Sequence, residues 1–145
     1  MKRLKDEFLE KVIKVVDFQG AKVLEVGCGA GVRSEAIAKH CKELVGIDPD
    51  KSRIDSALEK NIHNAHFRIG EAQQLSFSDQ EFDCAIFTLS FHHVPIPQMS
   101  HALAEVTRVV KREGLVVFLE PGFDGAFFEA EVLFDAGDGD ETAAK

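Results

Sequence analysis

Three features of the 145-residue sequence predict an α/β fold built on a mainly parallel sheet. Short strand-like runs alternate along the chain with segments of helical spacing. Those runs, KVLEV and FDCAIFTL among them, are mostly apolar, as strands covered on both faces must be. The run VLEVGCGAG, residues 23–31, then places bare glycine backbone directly after the first strand. In open α/β sheets that is where ligands bind.

The elements follow in order. Leu4, Phe8, Val12 and Val16 recur every four residues with Leu9 and Ile13 beside them, so residues 3–18 read as an amphipathic helix. KVLEVG is the first strand, and Val32, Ala36, Ile37 and His40 return to helical spacing. ELVGI (43–47) is a strand, followed by a helix over 50–60 with Ile54, Ala57 and Leu58 on one face. HFRI (66–69) and FDCAIFTL (82–89) are the next strands. Met99, Leu103, Val106 and Val110 mark a helix that Gly114 can end, and LVVFLE (115–120) is the fifth strand. Phe123, Phe127, Phe128, Val132, Leu133 and Phe134 predict an unusually apolar terminal helix. Right-handed, short connections make the layout a Rossmann-like doubly wound sheet: five mainly parallel strands with helices on both faces. Residues 1–134 form one domain, and the small, acidic stretch 135–145 is expected to be a disordered tail.

Charge and composition narrow the function. A net charge of −8 with no basic run argues against nucleic acid or an anionic membrane as partner. No apolar run approaches the length of a membrane span. Cys28, Cys41 and Cys84 are odd in number and lack a pairing pattern, which suits free thiols and a cytoplasmic location. His63 and His66 straddle a loop-to-strand junction and His92 and His93 are adjacent, so neither pair has metal-ligand spacing, and no metal is expected.

The glycine turn separates two nucleotide-binding readings. Gly27, Gly29 and Gly31 are spaced G-x-G-x-G, one residue shorter than the dinucleotide fingerprint, and Glu25 stands just upstream. A carboxylate there suits a cationic ligand better than a pyrophosphate. GIDPD sets Asp48 at the end of the second strand, where an ionised carboxylate can accept two hydrogen bonds from a ribose diol. The structural alternative for Asp48 is a helix N-cap, a role better suited to Asp50.

In order and spacing, VLEVGCGAG, GIDPD, RIGEAQQLSF, FDCAIFTLSFHHV and LAEVTRVVKREGLVVFLEPG resemble the successive motifs of class I S-adenosylmethionine-dependent methyltransferases. The likeness is to the branch with ubiquinone/menaquinone-biosynthesis-type and other small-molecule enzymes, and it covers about residues 20–122. The resemblance implies S-adenosylmethionine as cofactor. Glu25, Gly27, Cys28, Gly29 and Gly31 would surround its methionine end, with Glu25 drawn to the ammonium directly or through water. It also implies Asp48 on the ribose, Pro49 against the adenine, and Glu71 with the Ala72 N–H on the adenine edge. Thr88 would lie by the sulfonium. Glu71 stands where the family often has Asp, and it also reads as a solvated loop carboxylate; Thr88 also reads as a buried strand threonine.

Methyl transfer from a sulfonium needs positioning above all, because the methyl is already activated and leaves in line with sulfur. A base is needed only where the acceptor loses a proton; His92 or His93, just past the fourth strand, could supply it, or could simply pack the loop corner. The expected activity is therefore methylation of a small-molecule acceptor by direct displacement. The alternative is a non-catalytic S-adenosylmethionine-binding module acting through an interface. The family's C-terminal hairpin is not expected here, and KREGL replaces its usual proline-glycine turn. An exposed terminal helix and a bare fifth strand would favour a homodimer.

Overall fold

The computed structural model describes residues 7–121 and 128–134. Helix α1 (Glu7–Val15) leads into β1 (Lys22–Val26), α2 (Ser34–Ala38), β2 (Glu43–Asp48), α3 (Lys51–Glu59) and β3 (Ala65–Ile69). Then come β4 (Phe82–Thr88), a 3-10 turn (Phe91–His93), α4 (Ile96–Val109), β5 (Val110–Pro121) and β6 (Phe128–Phe134). The strands form a single sheet in the order β3-β2-β1-β4-β5-β6, parallel throughout except for β6, which runs antiparallel to β5. The predicted doubly wound parallel sheet is therefore present.

Alternation along the strands divides the core. Val23, Leu44, Cys84, Ile86, Val117 and Leu119 pack with Leu9, Val12, Val16 and Phe18 from the α1 region and with Ile37 and Ala38 of α2. Leu24, Val26, Val45, Ile47, Ala85, Phe87 and Val116 pack on the opposite face, against Ala102, Val106 and Val109 of α4. Winding reverses between β1 and its two neighbours, β2 on one side and β4 on the other. Their carboxyl ends diverge there and leave a crevice.

Three expectations about elements are corrected. The segment expected as a terminal helix is a strand over Phe128–Phe134, paired in register with Leu115–Pro121. Its hydrogen bonds cover the β5 edge, so the two grounds for a homodimer, an exposed apolar helix and a bare fifth strand, no longer hold. Gly114 does not end α4: it lies inside β5, where a Cβ would meet Asp83 O at 2.7 Å and Val110 Cγ1 at 2.4 Å. Leu58 does not share the inner face of α3; it is 51% exposed, whereas Ile54 and Ala57 are buried. The tail expected over 135–145, like Leu4 and Phe123, lies outside the described residues. Among the described residues no helix is long and apolar enough to cross a membrane.

Candidate active site: a cleft at the carboxyl ends of the strands

The crevice is a cleft of about 720 Å³, a size that accommodates a nucleoside-sized ligand. One wall is the turn Gly27–Ala30 with Val32 and Arg33, and the floor runs through Asp48, Pro49, Asp50 and Arg53. Gly70–Gln73 close one end; Phe87–Ser90 and His93–Pro95 form the other. Of the residues expected at the site, Gly27, Cys28, Gly29, Asp48, Pro49, Glu71, Ala72, Thr88 and His93 all line this cleft. Glu25, Gly31 and His92 are not among its lining.

The turn is bare for steric reasons. At Gly27 φ is +78°, and a Cβ would come within 2.3 Å of Ser90 Cβ. No side chain fits there, because Ser90 is itself pinned across the turn by an Oγ–H bond to Val26 O at 2.5 Å. Gly29 has φ +55° and donates its N–H to Asp48 Oδ2 at 3.0 Å. Gly31 serves another purpose: it is buried with its Cα side facing Ala57 and Lys60, so it lets α3 approach the turn.

Asp48 ends β2 with little exposure, at 7%. Its Oδ1 accepts the Asp50 N–H at 2.9 Å while Oδ2 accepts Gly29. An ionised carboxylate has about four lone-pair sites, so acceptor capacity remains on both oxygens at the cleft wall. Capping falls to Asp50, whose side chain accepts from Ser52 and Arg53 N–H at the start of α3.

Glu25 lies on the other side of the sheet from the α4 core. It alternates with Leu24 and Val26, on the face of Val23, and is 0% exposed. Ser34, at the first turn of α2, donates to Glu25 Oε2, and Thr88 donates to Oε1 at 2.9 Å. Burial pushes its carboxyl up to about 7, against the lowering effect of both hydroxyls and of Arg33. Thr88 spends its only proton on Glu25, so towards the cleft its oxygen has only lone pairs to present. Cys28 has its thiol pushed strongly up, chiefly by burial with help from Glu25 and Asp48. It stays protonated and packs as a small apolar group against Ile54, Ala57 and Phe67.

At the far end of the cleft, Glu71 is exposed and accepts from Gln73 Nε2 at 3.2 Å, while Ala72 is buried beside it. His93 lines the cleft and His92 lies tilted beside it, their ring centroids 4.0 Å apart. Three polar residues escaped the sequence reading: Ser34, Ser90 and Glu120. Each lies near an element end and meets a partner on another element: Ser34 the Glu25 carboxylate, Ser90 the Val26 carbonyl and Glu120 the Ser90 and Phe91 N–H groups.

Residues 24–118 match the methyltransferase domain family. A Coxiella burnetii protein named ubiquinone biosynthesis O-methyltransferase is 34% identical over 93 residues, 62% of this chain and 40% of that protein. A demethylmenaquinone methyltransferase of Staphylococcus saprophyticus is 31% identical over 117 residues, 77% of this chain and 49% of its own length. The crystal structure of a SAM dependent methyltransferase from Aquifex aeolicus aligns with a TM-score of 0.71 at 25% identity, covering 77% of this chain and 63% of that one. The chain thus spans less than half the length of the two curated relatives. Because the matched segment runs from β1 into β5 and takes in most of the cleft, the chain belongs to the family of S-adenosylmethionine-dependent methyltransferases.

Proposed function

We propose that this chain binds S-adenosylmethionine in the β1–β2–β4 cleft and transfers its methyl group to a small-molecule acceptor. The placement of Asp48 carries the reading: a nearly buried carboxylate, fixed by two backbone N–H groups, with acceptor capacity left at the cleft wall. It suits a ribose diol. The residues around it fit the rest of the cofactor. Gly27 and Gly29 give backbone-only approach for an amino-acid moiety, and Thr88, its proton held by Glu25, presents lone pairs to cationic groups. Pro49, Glu71 and Ala72, all in the lining, supply the apolar and acceptor groups that an adenine uses.

When bound, the cofactor supplies an activated methyl on a sulfonium. The chain's own part is to hold the acceptor in line behind that methyl and to exclude water, and ideal positioning of this kind supplies about 7–11 kcal/mol. His93, on the cleft wall beside Val94 and Pro95, is the candidate to take a proton from the acceptor, with His92 next to it outside the lining. The names of the two relatives, a ubiquinone biosynthesis O-methyltransferase and a demethylmenaquinone methyltransferase, support a small quinone-type acceptor.

Titration calorimetry with S-adenosylhomocysteine tests the cofactor half. Binding in the micromolar range with none for NAD is expected, and NAD binding alone overturns it. Release of S-adenosylhomocysteine with hydroquinone-type acceptors tests the transfer half. Binding without any release would favour a non-catalytic cofactor-binding module.

A further inference from the structure

The loop from β3 to β4 closes one end of the cleft, with Gly70, Glu71, Ala72 and Gln73 in the lining. Its first residue is tied to the end of β2, where the Gly70 N–H donates to Asp48 O at 3.1 Å. A tight turn follows, in which the Gln74 N–H donates to Glu71 O at 3.2 Å. Beyond that turn the loop is held by α4. The Leu75 N–H donates to Glu105 Oε2 at 2.8 Å. Arg108, about one turn further along the helix, donates to Leu75 O at 2.8 Å, Phe77 O at 2.9 Å and Asp79 Oδ1 at 2.8 Å. Ala72 and Leu75 are buried in the core that also holds Val106 and Val109 of α4.

The guanidinium is used to its limit. Besides the three loop oxygens, it donates from Nε to Glu105 Oε1 at 2.9 Å and from Nη2 to Glu105 Oε2 at 3.1 Å. All five N–H donors of the group therefore have an acceptor. Burial of Ala72 and Leu75 is non-directional and sets only how deep the loop sits. The planar fork of Arg108 sets which way its backbone turns. We infer that Glu105 and Arg108 are positioning residues for the cofactor, an assignment that rests on the cofactor-binding reading. By fixing Leu75–Asp79 on α4 they keep Glu71 and the Ala72 N–H in place, and so let the cleft tell adenine from another purine.

The chemistry of the base makes the fixed loop selective. Adenine offers an amino donor beside a ring-nitrogen acceptor, which a carboxylate and a backbone N–H complement. Hypoxanthine reverses both groups: a carbonyl replaces the amino group and the ring nitrogen carries a proton. It sets an acceptor against the Glu71 carboxylate and a donor against the Ala72 N–H. Glu71 is exposed, with Gln73 Nε2 on its Oε2 at 3.2 Å, so its side chain alone does not enforce that mismatch. A loop free to shift lets water satisfy either base. Selectivity is then lost while the rest of the cofactor still binds along the Asp48 wall.

Calorimetry on the full chain with S-adenosylhomocysteine and S-inosylhomocysteine, which differ only at that base edge, reads the selectivity. The parent is expected to bind the adenosyl compound about tenfold more tightly, the worth of a hydrogen bond to a charged group. Arg108→Lys keeps the charge but has three donors and no planar fork. In that variant the ratio should fall to about twofold, through weaker binding of S-adenosylhomocysteine alone. Lys111→Gln removes a different ion pair, the one with Asp83 at 2.8 Å, and should keep the parent's ratio. A folded Arg108→Lys protein with the parent's ratio overturns the inference. So does a parent that does not distinguish the two compounds, or a Lys111→Gln protein as unselective as Arg108→Lys. Amide hydrogen exchange on the ligand-free parent decides the matter even where Arg108→Lys does not fold. The Leu75 N–H should be protected, and exchange at the rate of an unstructured chain overturns the inference. A parent that binds neither compound overturns the functional reading itself, an outcome distinct from lost selectivity.

Discussion

The two sides of the cleft are built from different materials. On the β1–β2 side, the wall is backbone and carboxylates that are nearly or wholly buried: Gly27 and Gly29 in left-handed conformations, Asp48 tied to two N–H groups, and Glu25 sealed beneath. On the β4–β5 side the candidate groups are exposed rings on one 3-10 turn, held by Glu120. The first arrangement leaves no freedom for a side chain to vary without strain. The second can change its side chains while the turn is kept by backbone hydrogen bonds. A shared cofactor with varied acceptors calls for that division, with rigidity placed where the ligand is constant and side-chain chemistry where it varies.

The largest expected effect is on the rigid side. Gly27→Ala puts a Cβ on a residue at φ +78° and within 2.3 Å of Ser90 Cβ. Strain and clash together should cost about 4 kcal/mol, with cofactor binding lost. Thermal unfolding and calorimetry check it, and a stable, binding-competent Gly27→Ala protein would break the contrast between the two sides.

Next comes Glu25, whose folded carboxyl lies near 7 against an ordinary value of 4.5 because it is buried. The native state keeps a proton there that the unfolded chain has released. Its stability contribution is therefore fully present at low pH and is lost as pH rises from about 4.5 to about 7, a swing of about 3 kcal/mol. Glu25→Gln stays neutral and lacks this swing. Denaturant midpoints across that window should show the parent losing stability relative to the variant as pH rises; parallel curves would mean that Glu25 is ionised throughout.

Much of this rigid side was legible in the sequence. VLEVGCGAG and GIDPD carry periodicity, breaker residues and an acidic strand end within short stretches, so the turn, Asp48 and the capping role of Asp50 all follow from local rules. The partners of Glu25 did not follow, because Ser34 is nine residues away along the chain and Thr88 sixty-three. The strand at Phe128–Phe134 was misread for a different reason. FEAEVLF has apolar residues at both strand and helix spacing, and pairing with β5 decided between them.

A smaller effect is expected at Asp48. Asp48→Ala removes the proposed diol acceptor and strips Gly29 and Asp50 N–H of their partner. Cofactor affinity should fall by about 2 kcal/mol, roughly 30-fold in Kd. Unchanged calorimetric affinity in a folded variant would mean that the β2 end does not hold the ribose.

The smallest effect sharpens the same comparison within two residues. Asp50 also lines the cleft, yet its carboxylate is committed to the first turn of α3, accepting from Ser52 N at 2.8 Å, Ser52 Oγ at 2.7 Å and Arg53 N at 3.4 Å. Those bonds hold it below the usual carboxylate range. Asp50→Ala leaves orphan N–H groups at a helix start that water can reach, so thermal unfolding should move down by only a few degrees. The Asp50 backbone N–H that steadies Asp48 is untouched by the substitution. Affinity for S-adenosylhomocysteine should therefore match the parent's, and Asp50→Asn, which can still cap, should recover the lost stability. Should Asp50→Ala instead lose cofactor affinity as Asp48→Ala does while keeping its unfolding temperature, the roles of the two carboxylates would have to be exchanged.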